Sequence, residues 1–366
     1  MDEMLRKRIL EPCLELIRKD AILRNKTEDL EAFMHKREEE LVADINSGKL
    51  IIPRIVITTG TRCTLQCKDC VQFMPDYEEP YDIDIQEILD DTAALLAKID
   101  RCIGIDVQGG EPFVYPDLDV LLEELLKNEK ITYIEIATNG TKIPEEKVLR
   151  QLQNPKIAVN ISDYGNIRLL SRFVAKLDEY EIISYCLSGE KWIDAGGHEE
   201  RKRSESELRD IYLSCGSAKM CKTLMKGKLF DCSRAAFLYD LDYAGGGIPY
   251  INVRDTTKEE ISGFFLKEMS GACDYCDFNA PQKKYIAPAK QKNGREFKRS
   301  NYTIIARNDY AALVEAKEWW QAQCSNMQEQ NIELKDWIRQ LEEAKEYFLG
   351  QIEHLQNENQ RLKGEL

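Results

Sequence analysis

The spacing of hydrophobic residues predicts helices at the start of the chain and an alternation of strands and helices after it. In residues 1–48, apolar side chains recur every three or four positions, as in amphipathic helices. From LIIPRIVITTG onward, short apolar strands that end in glycine or polar turns alternate with helices predicted near 84–98, 117–128, 144–152 and 167–177. Such alternation implies parallel strands joined by right-handed crossovers. We therefore predict an α/β fold with an N-terminal helical segment over 1–49 and a partial (β/α)6 TIM-like barrel over 50–205.

The composition and periodicity of the sequence change twice after the predicted barrel. Residues 206–285 contain five cysteines and few helical patterns, which predicts a cysteine-rich domain, and the polar, basic residues 286–306 predict a linker. Residues 307–366 follow a heptad pattern with apolar d positions at Leu313, Trp320, Met327, Leu334, Leu341, Phe348, Leu355 and Leu362. Asparagines at a positions favour a parallel dimer, so we predict a homodimer formed through a C-terminal coiled coil. One long helix packed against its own domain is the alternative.

Composition and charge narrow the class of protein. The 366 residues are 43% hydrophobic and carry a formal net charge of −14, which disfavours nucleic acid or anionic lipid as a partner. No segment approaches the roughly 18 unbroken apolar residues of a membrane span, and the N-terminus lacks the apolar core of a signal peptide. We expect a cytoplasmic protein. Its twelve cysteines indicate metal or redox chemistry, because a reducing compartment does not favour disulfides.

The first group of cysteines directly follows the first predicted strand. Cys63, Cys67 and Cys70 have the spacing C-x3-C-x2-C. Three thiolates can bind three irons of a [4Fe–4S] cluster and leave the fourth iron free for another ligand. Zinc is the alternative, but a structural zinc site needs four ligands. The spacing therefore favours a cluster at the carboxyl end of the strand, where the chemistry of parallel barrels is usually found.

A second motif, Gly109-Gly110-Glu111-Pro112, follows the second predicted strand. Glycines allow the backbone to approach a ligand closely, and Glu111 can accept a hydrogen bond from an ammonium group. With both motifs, the chain resembles the radical S-adenosylmethionine (SAM) superfamily over roughly residues 50–205. The resemblance implies that the GGEP motif contacts SAM, and that an electron from the cluster cleaves SAM to a 5′-deoxyadenosyl radical. It also implies an external reductant such as flavodoxin or ferredoxin.

The same resemblance implies further SAM contacts at the ends of later strands. They are Thr138 and Asn139 after the third strand, and Asn160 and Ser162 in the fourth. Many members of the superfamily have an aromatic residue beside the adenine, just before the third cysteine. This chain has Asp69 there, which leaves the adenine contact unassigned.

A second group of cysteines supplies four thiolates, the number that a fully ligated [4Fe–4S] cluster needs. Its members are Cys215, Cys232, Cys273 and Cys276. The spacing Cys215-x11-Gly227-x4-Cys232 resembles the hairpin of SPASM and twitch domains. Only Cys324 follows the group, which favours the twitch form with one auxiliary cluster, and hence two clusters in the chain. Four cysteines also suit zinc.

The remaining cysteine of this region, Cys221, has three open roles. It could replace Cys215 as a ligand, donate a hydrogen atom to a substrate radical, or pack as an inert thiol.

Three classes of function fit these motifs. The cysteine spacing resembles that of twitch-type dehydrogenases of aminocyclitol pathways. This implies oxidation or epimerisation of a sugar or cyclitol, nucleotide-linked in our preferred interpretation, in glycan or natural-product biosynthesis. The second class is a maturase that forms thioether or carbon–carbon links in a ribosomal peptide. Such enzymes commonly carry a winged peptide-recognition domain, for which residues 1–48 are too short and too helical. The third class is an iron–sulfur redox scaffold. Such a scaffold does not need an intact GGEP motif, so the presence of the motif argues against this class.

The sequence does not identify a catalytic base. Of the three histidines, only His198 lies near the predicted active face, and a structural or solvated role for it is the simpler interpretation.

Overall fold

An eight-stranded sheet forms the centre of the fold, and helices pack on it. The structure, a computed structural model, describes residues 3–24, 29–165, 167–188, 191–294 and 296. The predicted coiled coil over 307–366, with Cys324, lies outside the described residues, as does most of the predicted linker.

The strands are β1 (Ile51–Thr58), β2 (Arg101–Gln108), β3 (Ile131–Thr138), β4 (Ile157–Asp163), β5 (Ser184–Ser188), β6 (Trp192–Ile193), β7 (Lys222–Met225), β8 (Lys228–Phe230), β9 (Tyr250–Asn252) and β10 (Tyr285–Ile286). The helices are α1 (Glu3–Leu5), α2 (Glu11–Leu23), α3 (Leu30–Asn46), α4 (Ile85–Ala97), α5 (Leu118–Lys127), α6 (Glu146–Leu152), α7 (Ile167–Glu179), α8 (Glu205–Ser214), α9 (Gly216–Met220), α10 (Ser233–Asp240) and α11 (Lys258–Leu266). A π-helical turn, Arg6–Leu10, joins α1 to α2.

The order of strands in the sheet is β5-β4-β3-β2-β1-β7-β8-β9. Strands β1 to β5 are parallel, which confirms the predicted α/β class with a parallel sheet. The prediction of a sixth barrel strand beyond β5 differs from the structure. The next described strand, β6, has only two residues and pairs antiparallel with β10. The sixth parallel strand is instead β7, which lies on the other side of β1.

Strand β7 lies in residues 206–285, for which the sequence predicts a cysteine-rich domain separate from the barrel. It pairs in parallel with β1 through Ile55–Lys222, Val56–Thr223 and Ile57–Leu224. Strands β8 and β9 continue the sheet in antiparallel order. The cysteine-rich region and the barrel strands therefore share one hydrogen-bonded sheet, and the two groups of cysteines sit on a common framework.

Burial on both faces explains the composition of the parallel strands. Ile52, Val56, Ile103 and Ile134 are almost completely buried, because helices cover such a sheet on both sides. Helix α5 turns an apolar face to this core, and Asp84 caps the N-terminus of α4 by accepting from the backbone of the first turn. The N-terminal helix α2 packs against β1 and β2. In the described part of the chain, no helix is both long and apolar enough to span a membrane.

Candidate active site between two groups of cysteines

One cavity of ≈ 470 Å³ brings the two groups of cysteines together. The thiol-bearing residues that line it are Cys63, Cys67, Cys70, Cys215, Cys221, Cys232, Cys273 and Cys276. The first three come from the loop that follows β1. Of the others, Cys215 and Cys221 precede β7, Cys232 follows β8, and Cys273 and Cys276 come after α11. Because β7 is the direct neighbour of β1, residues more than 140 positions apart in the chain face each other across the cavity.

Hydrogen-bond donors surround the thiols of the first group. The amide N–H of Leu65 and the side-chain amide of Asn139 donate to the sulfur of Cys63, over 3.5 and 3.7 Å. The side-chain amide of Gln291 donates to the sulfur of Cys67 over 3.5 Å. Burial raises the pKa of Cys63 to about 12 and that of Cys67 to about 11. These thiols are therefore poor thiolates on their own and need a positively charged partner such as iron to ionise.

The four thiols assigned to the auxiliary site lie within electrostatic reach of one another. Burial raises the pKa of Cys232 far above its ordinary value, and the neighbouring Cys276, Cys273 and Cys215 raise it further. Burial likewise raises the pKa of Cys273 to about 12, with Cys215 and Cys276 adding to the effect. Each thiolate opposes the ionisation of the next, which is the expected behaviour of ligands placed around one cationic centre.

Both groups fit iron–sulfur clusters in ligand type and in number. Thiolates are the usual ligands of [4Fe–4S] clusters, three leaving one iron open and four ligating every iron. Within the described residues, no three His, Cys, Asp or Glu side chains converge closely enough to hold a single metal ion. A cluster places each thiolate on a different iron, so its ligands need not converge on one point.

The two glycines of the GGEP motif are required by packing within the chain. A Cβ atom on Gly109 would lie 2.7 Å from Oγ1 of Thr59 and 2.8 Å from the carbonyl oxygen of Gly60. A Cβ on Gly110 would collide with the carbonyl of Arg62, next to Cys63. Both glycines line the cavity, and their close approach holds the end of β2 against the loop that carries the first cysteines.

Glu111 is buried, and neither it nor Pro112 lines the wall of the cavity. Its Oε1 accepts from the hydroxyl of Thr138 over 2.7 Å and from the backbone of Phe113, and its Oε2 accepts from the backbone of Asn139 over 2.9 Å. The carboxylate thus ties the end of β2 to the end of β3. Burial raises the pKa of Glu111 to about 7. The role that the sequence suggested, accepting from a ligand's ammonium group, stays a prediction.

The polar residues predicted at the strand ends line the cavity together. They are Thr138, Asn139, Asn160 and Ser162. The side-chain amide of Asn160 donates to Glu135 over 3.0 Å, while its buried Oδ1 has no hydrogen-bond partner in the described protein. Asp69 also lines the cavity, and so do Tyr164 and Trp192, whose rings meet edge to face at 5.3 Å.

A layer of buried charges below the cavity was not predicted from the sequence. Arg54 on β1 lies 3.6 Å from Asp106 and 3.7 Å from Glu135. Lys19 of helix α2 reaches the same Glu135 over 2.7 Å. The guanidinium of Arg54 also donates to the carbonyl of Met220 over 2.8 Å and to the sulfur of Cys221 over 3.3 Å. These charged side chains, which come from three strands and one helix, therefore form one cluster, and its Arg54 contacts the Cys221 thiol.

A second buried ion group holds the β7–β8 hairpin beside the auxiliary cysteines. Asp231 precedes Cys232 and pairs with Lys222 over 2.9 Å and with Lys267 over 2.7 Å. Although burial opposes ionisation, the two lysines hold the pKa of Asp231 down, to about 2. His198, in contrast, stacks on Tyr243 with ring centroids 4.0 Å apart and does not line the cavity. His198 is exposed, and its structural or solvated role stays a prediction.

Comparison with known proteins gives one match to a family and several similar structures. The sequence profile of the radical SAM superfamily matches residues 57–164. GTP 3′,8-cyclase of Aquifex aeolicus (strain VF5) is 28% identical over 156 residues, which are 39% of this chain and 46% of that protein. The chain thus spans about half the length of the curated relative that it matches.

Among solved structures, native anSMEcpe with bound AdoMet is 16% identical and has a TM-score of 0.44, over 75% of this chain and 98% of that one. BtrN in complex with AdoMet and 2-DOIA is 14% identical, with a TM-score of 0.38 over 70% and 100% of the two chains. Streptococcus suis SuiB bound to S-adenosylmethionine is 17% identical, with a TM-score of 0.31 over 43% and 39%. Over residues 57–164, the chain is therefore similar to the radical SAM superfamily of enzymes, whose cofactors are SAM and a [4Fe–4S] cluster.

Proposed function

We propose that this enzyme abstracts a hydrogen atom from a sugar or cyclitol and that the product is an oxidised or epimerised sugar. The observation that carries this proposal is the wall of the cavity between the two groups of cysteines. It is rich in uncharged side chains that can hydrogen-bond hydroxyl groups: Gln72, Gln108, Ser217, Ser233 and Asn279. A few well-placed polar groups on a largely apolar wall are typical of small-molecule sites. In this proposal the same cavity also admits SAM, beside the two groups of cysteines.

In this proposal Cys63, Cys67 and Cys70 hold the cluster that reacts with SAM, and Cys215, Cys232, Cys273 and Cys276 hold an auxiliary cluster of the twitch type. When bound, the first cluster supplies the electron that cleaves the sulfonium bond of SAM. The residues of the chain orient SAM and exclude water from it. Gly109, Gly110, Thr138, Asn139, Asn160 and Ser162 form the part of the wall that receives SAM. Glu111 holds two of them in place, through the hydroxyl of Thr138 and the backbone N–H of Asn139.

Cys221 has the properties of a hydrogen-atom donor in this arrangement. Its thiol lines the cavity, and burial raises its pKa in spite of the neighbouring Arg54, so the sulfur keeps its hydrogen at neutral pH. In an epimerisation, the S–H bond breaks homolytically, a C–H bond forms on the substrate, and a sulfur radical remains. One electron from the external reductant, a flavodoxin or ferredoxin, and one proton from solvent then restore the thiol. In an oxidation the substrate radical instead loses one electron to the auxiliary cluster and one proton from its hydroxyl group.

The test uses anaerobically reconstituted full-length enzyme with SAM and a reductant. Candidate nucleotide sugars, free cyclitols and short peptides are added separately, and 5′-deoxyadenosine is followed by mass spectrometry. We expect a sugar or cyclitol to raise its formation and to change in mass or configuration. Stimulation by peptides alone would replace this proposal with the peptide-maturase function. Absence of any SAM cleavage in protein with full iron content would favour the redox scaffold.

A further inference from the structure

The segment that follows Cys276, the last member of the second cysteine group, lies across the first cysteine group. We call residues 286–294, the described part of the predicted linker, the strap. Its backbone pairs with the loop in both directions: the N–H of Lys68 donates to the carbonyl of Lys290 over 2.7 Å, and the N–H of Lys292 donates to the carbonyl of Gln66 over 2.8 Å. Just before the strap, β10 pairs with β6. Backbone pairing at both places fixes the position of the strap over the loop.

One strap side chain, Gln291, points into this contact and is buried, with 8% of its surface exposed. Its Oε1 accepts from the backbone N–H of Gln66 over 2.7 Å. Its Nε2 donates to the carbonyl of Ala289 over 2.7 Å and to the sulfur of Cys67 over 3.5 Å. Because a backbone N–H can only donate, the contact with Gln66 fixes which end of the amide is oxygen. The end that faces Cys67 is therefore the N–H donor.

We infer that Gln291 is a positioning residue that sets the reduction potential of the SAM-binding cluster; the inference rests on the proposed role of Cys67 as a ligand. Hydrogen bonds to ligand sulfurs and exclusion of solvent are two of the factors that set the potential of such clusters. An N–H directed at the sulfur stabilises the reduced cluster more than the oxidised one, because the reduced cluster carries more negative charge. Gln291 supplies the donor, and the strap around it covers Cys67.

The deciding variant is Gln291→Glu. A carboxylate keeps the acceptor for the N–H of Gln66 but removes the N–H that faces Cys67 and adds a negative charge. Gln291→Leu removes the donor without adding a charge. Gln153→Glu is the matched control: it makes the same chemical change at an exposed position, where the amide donates to the carbonyl of Tyr180 over 3.0 Å.

The measurement is an EPR-monitored redox titration of reconstituted full-length enzyme, on the cluster whose spectrum changes when SAM is added. We expect Gln291→Leu to move its midpoint to a more negative potential, Gln291→Glu to move it further, and Gln153→Glu to leave it at the wild-type value. An unchanged midpoint in both Gln291 variants, at full iron content, overturns the inference. Loss of iron with an unchanged midpoint in the remaining clusters also overturns it, since Gln291 would then serve cluster retention alone. If wild-type protein has no cluster that responds to SAM, the proposed function fails instead.

Discussion

The guanidinium of Arg54 lies 3.3 Å from the sulfur of Cys221 and joins this thiol to the buried carboxylates of Asp106 and Glu135. Arg54 belongs to the first barrel strand and Cys221 immediately precedes β7, the strand that pairs with it. The contact fixes the side chain of Cys221 from below while the thiol faces the cavity. Cys221 is thus held by the barrel, and it also lies within electrostatic reach of Cys215, one of the four auxiliary thiols.

Replacing Cys221 distinguishes its three possible roles. In Cys221→Ala we expect 5′-deoxyadenosine to form at the wild-type level, with full iron content and no epimerised product. Wild-type product formed in deuterium oxide should carry one carbon-bound deuterium, because the thiol exchanges with solvent. Cys186→Ala, which changes a thiol outside the cavity, should behave like wild type. A ketone without solvent deuterium would show that Cys221 is not the donor and that oxidation is the reaction. Loss of about four irons in Cys221→Ala would show that Cys221 is a cluster ligand.

Removing Arg54 should destabilise the fold strongly. Arg54→Met leaves Asp106 and Glu135 buried without this partner, which typically costs about 3–5 kcal/mol. Adding Asp106→Asn to that variant should restore part of the loss, because the carboxylate of Asp106 then disappears, whereas Glu135 keeps its ion pair with Lys19. The measurement is urea unfolding of the apoprotein at neutral pH for the single and double variants. A single variant within about 1 kcal/mol of wild type would show that the charges below the cavity do not depend on Arg54.

Iron analysis tests whether the two groups of cysteines hold separate clusters. Reconstituted wild-type protein should contain about eight irons per chain. Cys273→Ala with Cys276→Ala should lower the content to about four and retain SAM cleavage, whereas Cys67→Ala with Cys70→Ala should lose the other four together with cleavage. Cys186→Ala serves as the control for loss of a thiol. Wild-type protein that saturates near four irons and carries zinc in the second group would contradict the auxiliary cluster.

Glu111 should give the apoprotein a characteristic dependence on pH. Burial raises its folded pKa from an ordinary value of 4.5 to about 7. The protonated form is therefore favoured by folding, and the stabilisation present below pH 4.5 is lost as the pH rises toward 7. The loss is at most about 3 kcal/mol. The side chain of Glu111→Gln cannot ionise. Its N–H₂ group is a donor that faces the donor N–H of Asn139, so one hydrogen bond is lost. The variant should therefore be less stable than wild type by about 1–3 kcal/mol at low pH.

Urea unfolding between pH 5 and pH 8 measures this effect. We expect the difference between wild type and Glu111→Gln to shrink as the pH rises. The exposed Glu123→Gln should follow the wild-type profile. A difference that stays constant from pH 5 to pH 8 would mean that Glu111 is ionised throughout this range.

The predicted coiled coil is tested by deleting residues 307–366. The shortened chain should sediment as a monomer and still cleave SAM, because both cofactor motifs lie in residues 57–164. Full-length protein should sediment as a dimer at micromolar concentration. A monomeric full-length protein would contradict the heptad interpretation and favour one helix packed on its own domain.

The sequence predicted those features that depend on local spacing. The helices over 84–98 and 117–128 match α4 and α5 to within two residues, since both have a strong apolar face and clear ends. The strand-end residues Thr138 and Asn160 were expected in the site and do line the cavity. Parallel pairing explains this success, because the carboxyl ends of neighbouring strands meet at one edge of the sheet.

Features that depend on distant contacts could not be predicted. Lys19 is one charged residue on a mixed helical face, and its partner Glu135 lies 116 residues later. Arg54 is the one charged residue in an apolar strand. Because a buried charge needs a partner, such a residue indicates a buried ion pair, but the sequence does not identify the partner. The pairing of β7 with β1 leaves no periodic pattern, so the cysteine-rich region was interpreted as a separate domain. Gln291 lies in a polar stretch typical of a linker, and only its contact with Cys67 reveals its burial.

The strap has a consequence for the order of events during synthesis of the chain. Gln291 is separated from Cys67 by 224 residues. At about 5–20 residues per second, the ribosome takes roughly 10–45 s to reach Gln291 after it has made Cys67. Throughout this interval the strap does not yet cover the thiols of Cys63, Cys67 and Cys70. An iron–sulfur carrier that acts during translation would therefore meet a site that the strap does not yet cover.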